Sequence, residues 1–234
     1  MMATAVILLA LFVVSERLSQ HPVITPSLFR KRSFVVGLLI VAGFYASLSA
    51  FVLVINLLLQ LGMRWTPLHT GFTLISWALG TTVAVLLAGA VLAEKLGRAS
   101  LHLGLSTAII GLLALWWSIA HWGADITVWK LAPALLLTGF GSGLVFVPLV
   151  GFILGDATTE EVGTGAGLLN AIQQFASAIG VAALGTVFFT QVGHPSIHSY
   201  FAAAELVFGI AAGLYFLTLL LVGLLPKHAQ QAHG

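Results

Sequence analysis

The chain has 234 residues, of which 59% are hydrophobic and only 7% charged. A water-facing surface needs about a quarter of a domain's residues to be charged, so this composition excludes a soluble globular fold and leaves lipid as the outer solvent. The absence of cysteine excludes disulfides and thiolate metal sites. A formal charge of +2 without a long basic run leaves no nucleic-acid surface.

Residues 3–14 are apolar but reach only about 18 Å as a helix, short of the roughly 30 Å hydrocarbon core. A signal peptide would need a basic leading segment and a small-residue cleavage site, and neither is present. The pattern fits the end of a transmembrane helix whose beginning lies upstream of Met1, so residues 1–15 are expected to be a helix remnant and the chain a fragment. Residues 16–32, ending in Arg30-Lys31-Arg32, are expected to form a cytoplasmic linker.

Six stretches are then long and apolar enough to span a bilayer: 33–60, 70–93, 101–122, 129–154, 162–190 and 200–225. Helix is the state that satisfies backbone groups without water, and a barrel would need short alternating segments. The expected fold is an all-α membrane protein, a six-transmembrane-helix bundle over 33–225 followed by a tail over 226–234. Glycine, proline and polar residues punctuate the breaks, and Trp65, Trp122, Trp129 and Tyr200 sit near span ends, where amphipathic rings prefer to lie.

Alternate loops carry Arg17, Arg30, Lys31, Arg32, Lys95, Arg98 and Lys227 on one side, against Arg64 and Lys130 on the other. The positive-inside rule then assigns the first set, and the C-terminus with it, to the cytoplasm.

Polar residues inside lipid should face protein or a cavity. The first span places Tyr45, Ser49, Asn56 and Gln60 on one stripe, and the fifth places Asn170, Gln173, Gln174 and Ser177 on one side. These groups serve either as interhelical hydrogen bonds or as the lining of a substrate path. Gln60 also fits a marker of the outer interface. Gly163, Gly167 and Gly180 beside the second group favour close packing. Gly139/Gly143 and Gly209/Gly213 have the four-residue spacing of close helix contacts. The run from Gly139 to Gly143, followed by Pro148, is expected to interrupt the fourth span and to offer a hinge.

Glu205 is the one carboxylate well inside a predicted span, which makes it a candidate proton site or a group wetted near the outer surface. His194 and His198 have the spacing of a metal pair, but Pro195 lies between them and no third ligand is evident. No metal, cofactor or enzyme motif is expected.

The segment Ala90-Val91-Leu92-Ala93-Glu94-Lys95-Leu96-Gly97-Arg98 resembles the cytoplasmic loop motif of the major facilitator superfamily. Its leading glycine is displaced to Gly89, its aspartate is Glu94 and its first arginine is Lys95. Three further stretches resemble the fourteen-span drug:proton antiporter branch: Leu59 to Gly71, Gly163 to Val187, and His21 to Arg30.

The resemblance implies the C-terminal half of a major facilitator fold, two inverted three-helix repeats that rock against an N-terminal bundle. It implies a conformational latch at Glu94, Lys95, Gly97 and Arg98. It also implies one wall of a substrate path, with Asn56, Gln60, Ser76, Thr81, Asn170, Gln173, Gln174 and Ser177 as candidates. The implied activity is proton-coupled multidrug efflux from a bacterial inner membrane. Its implied partners are the lipid bilayer, an absent N-terminal half or a second copy, and an amphipathic or hydrophobic small molecule. A transporter of a small metabolite, a non-transporting membrane subunit and a membrane-embedded enzyme are the alternatives.

Overall fold

A computed structural model of the protein describes residues 31–89, 97–155 and 159–225. The expected helix remnant and most of the linker, the tail, and the latch residues Glu94 and Lys95 lie outside the described residues.

Six helices are each long and apolar enough to cross a bilayer. They are α1 (Arg32–Leu57), α2 (Pro67–Leu87), α3 (Arg98–Trp122), α4 (Val128–Leu154), α5 (Thr159–Val192) and α6 (Ile197–Val222). α1 runs on into a π-helical turn, Leu58–Gly62.

Four helices begin three residues earlier than the hydrophobic pattern predicts, and at two of them residues that mark turns act as helix caps. Thr66 accepts a hydrogen bond from the His69 N–H, with Pro67 in the first helical position, where its missing donor is harmless. Ser196 and Ser199 cap α6 reciprocally, each side chain accepting from the other's backbone N–H.

The packing is organised around α1 and α4. α4 lies along α2 and α3, α1 lies along α5 and α6, and α3 packs on α6. Exchanging α1–α3 with α4–α6 preserves these pairings, as inverted repeats require. One contact breaks the symmetry: α5 touches α6 more closely than α2 touches α3.

Buried aromatic rings from α1 and α6, with the half-buried Phe146 of α4, fill the centre. Phe44 stacks on Tyr215 at 5.6 Å between centroids and meets Phe146 edge-on at 5.4 Å. In lipid such contacts carry the association directly, since there is little hydrophobic gain from bringing apolar helices together. The buried hydroxyls of Ser47, Thr138, Ser142 and Thr218 each donate to the carbonyl four residues earlier, so they cost little. Large apolar side chains such as Leu39, Ile110 and Phe216 point outward, as a lipid solvent allows.

Where helices cross most closely, glycine is what lets them. A Cβ on Gly80 would collide with the Leu136 carbonyl, one on Gly139 with the Trp77 carbonyl, and one on Gly180 with the Ala46 carbonyl. The expected interruption of the fourth span is not observed: α4 is continuous from Val128 to Leu154, through Gly139–Gly143 and Pro148. The glycines there serve contacts of α4 with α2 and α3, and those neighbours hold the helix together. The contact read from Gly209 and Gly213 is not made among the described residues. Neither has a heavy atom within 4 Å of the position a Cβ would take.

The ends of the bundle are tied by charged groups. Lys31, at the start of α1, donates to Glu161, near the start of α5, at 2.7 Å. Arg98, the first residue of α3, donates to the carbonyls of Gly223 and Leu225 beyond the end of α6. Of the basic residues expected on one side of the membrane, the described ones, Lys31, Arg32 and Arg98, stand at the starts of α1 and α3.

Candidate functional site

α2 packs on α4 and barely touches α1, so the two helices diverge and leave a space that α5 closes from the other side. The stripe on α1 faces that space. The resulting groove, of about 600 Å³, is lined from α1 by Tyr45, Leu48, Ser49, Val52, Leu53 and Asn56. α2 contributes Trp77, and α5 contributes Ser177 and Val181. A second cavity, of about 230 Å³, lies between α1 and α2 against Phe51, Leu74 and Ile75. Trp77 and Val52 line both spaces and stand between them.

Among the described residues, no charged side chain lines either space. The polar groups are hydroxyls, one amide and one indole. The Asn56 side-chain amide donates to the Val52 carbonyl at 2.7 Å, and its oxygen accepts from the Gln60 amide at 3.3 Å. The asparagine is therefore oriented by its own helix. The Trp77 indole N–H is buried with no acceptor in reach. Such a donor costs about 1–3 kcal/mol unless something supplies an acceptor. The Trp77 ring lies 6.4 Å from Phe51, tilted by 46°.

The residues singled out by sequence separate into groups. Asn56 and Ser177 meet in the groove. Gln60 joins through its hydrogen bond to Asn56. Thr81 lies at the α2–α4 crossing, where its hydroxyl is 3.0 Å from the Trp77 carbonyl and 3.1 Å from the Gly139 carbonyl. Ser76 is half-buried and outside the lining residues. On α5, Asn170 and Gln174 are exposed and Gln173 is half-buried. Gly163 and Gly167 are also open there, so this face of α5 turns away from the other described residues. Glu205 is half-buried on α6, a helix that does not line the groove.

Of the latch residues described, Gly97 has φ of 49° and ψ of −128°, a conformation that glycine adopts without strain. It positions Arg98 to reach the end of α6. Among the described residues there is no group of three histidines or carboxylates close enough to hold a metal ion.

Sequence reasoning did not single out Trp77. Its signal was position: tryptophan prefers membrane interfaces, yet Trp77 sits in the middle of α2.

Residues 1–181 match the family model described as Major Facilitator Superfamily. The chain is 34% identical over 178 residues to a probable actinorhodin transporter of Streptomyces coelicolor, covering 76% of this chain and 31% of that protein. It is 27% identical over 187 residues to the multidrug resistance protein Stp of Mycobacterium tuberculosis, covering 80% of this chain and 34% of the relative. Over a further 187-residue alignment it is 27% identical to the puromycin resistance protein pur8 of Streptomyces alboniger, covering 80% and 37%. The chain thus spans about a third of the length of these relatives.

Proposed function

Since the chain belongs to the major facilitator superfamily, we propose that it is the C-terminal six-helix half of a secondary exporter of drugs or antibiotics. In this reading the groove between α1, α2 and α5 is one wall of the substrate path. An N-terminal bundle forms the other wall, and the two rock about the bound molecule. The observation that carries the proposal is the groove itself. It is a space of about 600 Å³, walled by Trp77, Tyr45, Ser49, Asn56 and Ser177, in an otherwise apolar bundle. Lipid-facing surface has no use for such a lining, whereas a small molecule passing through does.

The names of the relatives, an antibiotic transporter and two resistance proteins, support export of amphipathic or hydrophobic molecules. Proton-coupled antiport is proposed on the resemblance to the drug:proton branch, and Glu205 is retained as a candidate proton site. The placement of Lys31, Arg32 and Arg98 at the starts of α1 and α3 supports a cytoplasmic C-terminus in a bacterial inner membrane. The exposed face of α5, with Asn170, Gln174 and two open glycines, suits a protein partner better than lipid. The isolated chain is therefore expected not to transport. Proton-driven dye efflux by vesicles containing only this chain would contradict that.

The absence of cysteine allows a direct test. Single cysteines at Asn56 and Ser177 should react with a hydrophilic, uncharged thiol reagent much faster than one at the outward-facing Ile110. Equal, slow labelling at all three positions would remove the substrate path.

A further inference from the structure

Resting on the reading of the groove as a substrate wall, we infer that this wall selects an uncharged, planar aromatic molecule, and that Trp77 is its specificity-determining residue. Three observations converge. The first is charge. Among the described residues, no lysine, arginine, aspartate or glutamate lines the groove or the cavity beside it. Aromatic faces attract cations, but that attraction is smaller than the cost of stripping water from an ion that finds no counter-charge. A neutral guest avoids the cost altogether.

The second is shape. Trp77 belongs to both spaces, so its indole divides a groove of about 600 Å³ from a cavity of about 230 Å³. Its backbone cannot drift, because its carbonyl is pressed on Gly139 of α4 and accepts from the Thr81 hydroxyl at 3.0 Å. A ring fixed at its base and facing open space on two sides is a surface on which a flat molecule stacks. It also limits how far a guest can extend towards the second cavity.

The third is the indole N–H, buried without an acceptor. The nitrogen is shielded from solvent, so a guest with a carbonyl or ring oxygen satisfies it where the indole turns to present the N–H to the groove. Asn56 and Tyr45 add further neutral hydrogen-bonding groups in the same groove. A flat ring system bearing a carbonyl is therefore matched, and the same ring system bearing a positive charge is not.

The test uses two tricyclic dyes of nearly equal size, acridone, which is neutral, and proflavine, which is cationic at neutral pH. Binding of each to the full chain in lipid nanodiscs is read by fluorescence, with empty nanodiscs subtracted. Acridone should bind at least about tenfold more tightly than proflavine. Trp77→Ala should weaken acridone by about tenfold or more, while Trp77→Phe, which keeps a ring but loses the N–H, should cost about three- to tenfold. Equal affinities for the two dyes, or full acridone binding by Trp77→Ala, would overturn this inference and leave the groove as a substrate wall. Failure of both dyes to bind the unmodified chain, together with slow labelling of cysteines at Asn56 and Ser177, would overturn the wall and this inference with it.

Discussion

The guanidinium of Arg98 lies 2.7 Å from the carbonyl of Leu225, with a second bond of 2.9 Å from the same nitrogen to Gly223. The first residue of α3 thus supplies a charged donor to two carbonyls just beyond the end of α6, where the helix dipole is negative. Arg98→Ala should destabilise the bundle by about 1.5–3 kcal/mol, the range for hydrogen bonds to a charged group. Arg98→Lys should recover part of this, since it keeps the charge but places its donor on a more flexible, differently shaped side chain. Thermal unfolding in detergent would check both, and no change for Arg98→Ala would mean that the contact contributes nothing.

Lys31 and Glu161 pin the starts of α1 and α5 together at 2.7 Å, with the lysine side chain 28% and the glutamate 11% exposed. This burial lies between that of a surface pair and a core pair, so Glu161→Gln should cost about 1–3 kcal/mol. The Lys31→Met/Glu161→Gln double variant should lose less than the sum of the two single losses. A double-mutant cycle on the unfolding midpoint measures the coupling, and strict additivity would count against a direct interaction.

Glycines of equal spacing should respond differently. Gly139→Val forces a side chain into the Trp77 carbonyl and should cost about 1–3 kcal/mol or more, by separating α2 from α4. Gly213→Ala meets no atom of the described residues and should leave stability unchanged or raise it by up to about 1 kcal/mol. Equal losses would show that the crossing of α2 and α4 is not as close as described.

Arg64, between the π-helical turn and α2, has φ of 59°, the left-handed region that costs a residue with a side chain about 1–2 kcal/mol. Arg64→Gly should relieve this and raise the unfolding midpoint, less what the added freedom of the unfolded chain takes back. A lowered midpoint would reveal a side-chain contribution that outweighs the strain.

The six spans, their helical state and the polar stripe on α1 could be read from the sequence alone. Backbone groups in lipid must bond within a helix, and about 20 apolar residues suffice to cross the bilayer, so composition and length decide these features locally. The positions of Lys31, Arg32 and Arg98 at helix starts were equally legible, because they depend only on chain order.

What the chain does with its small and aromatic residues was decided by tertiary structure. Gly139/Gly143 and Gly209/Gly213 share one spacing, but only the first pair meets a neighbouring backbone, because α4 is central and α6 has an outward face. Thr81 and Ser177 are both polar residues within spans. The divergence of α1 from α2 leaves Ser177 in the groove, while the crossing of α2 and α4 takes Thr81 into a hydrogen bond. Trp77 becomes the partition between two spaces for the same reason. The identity of a side chain gives its chemistry, but in a bundle of apolar helices, where most surfaces are alike in hydropathy, helix packing decides which side chains face a cavity.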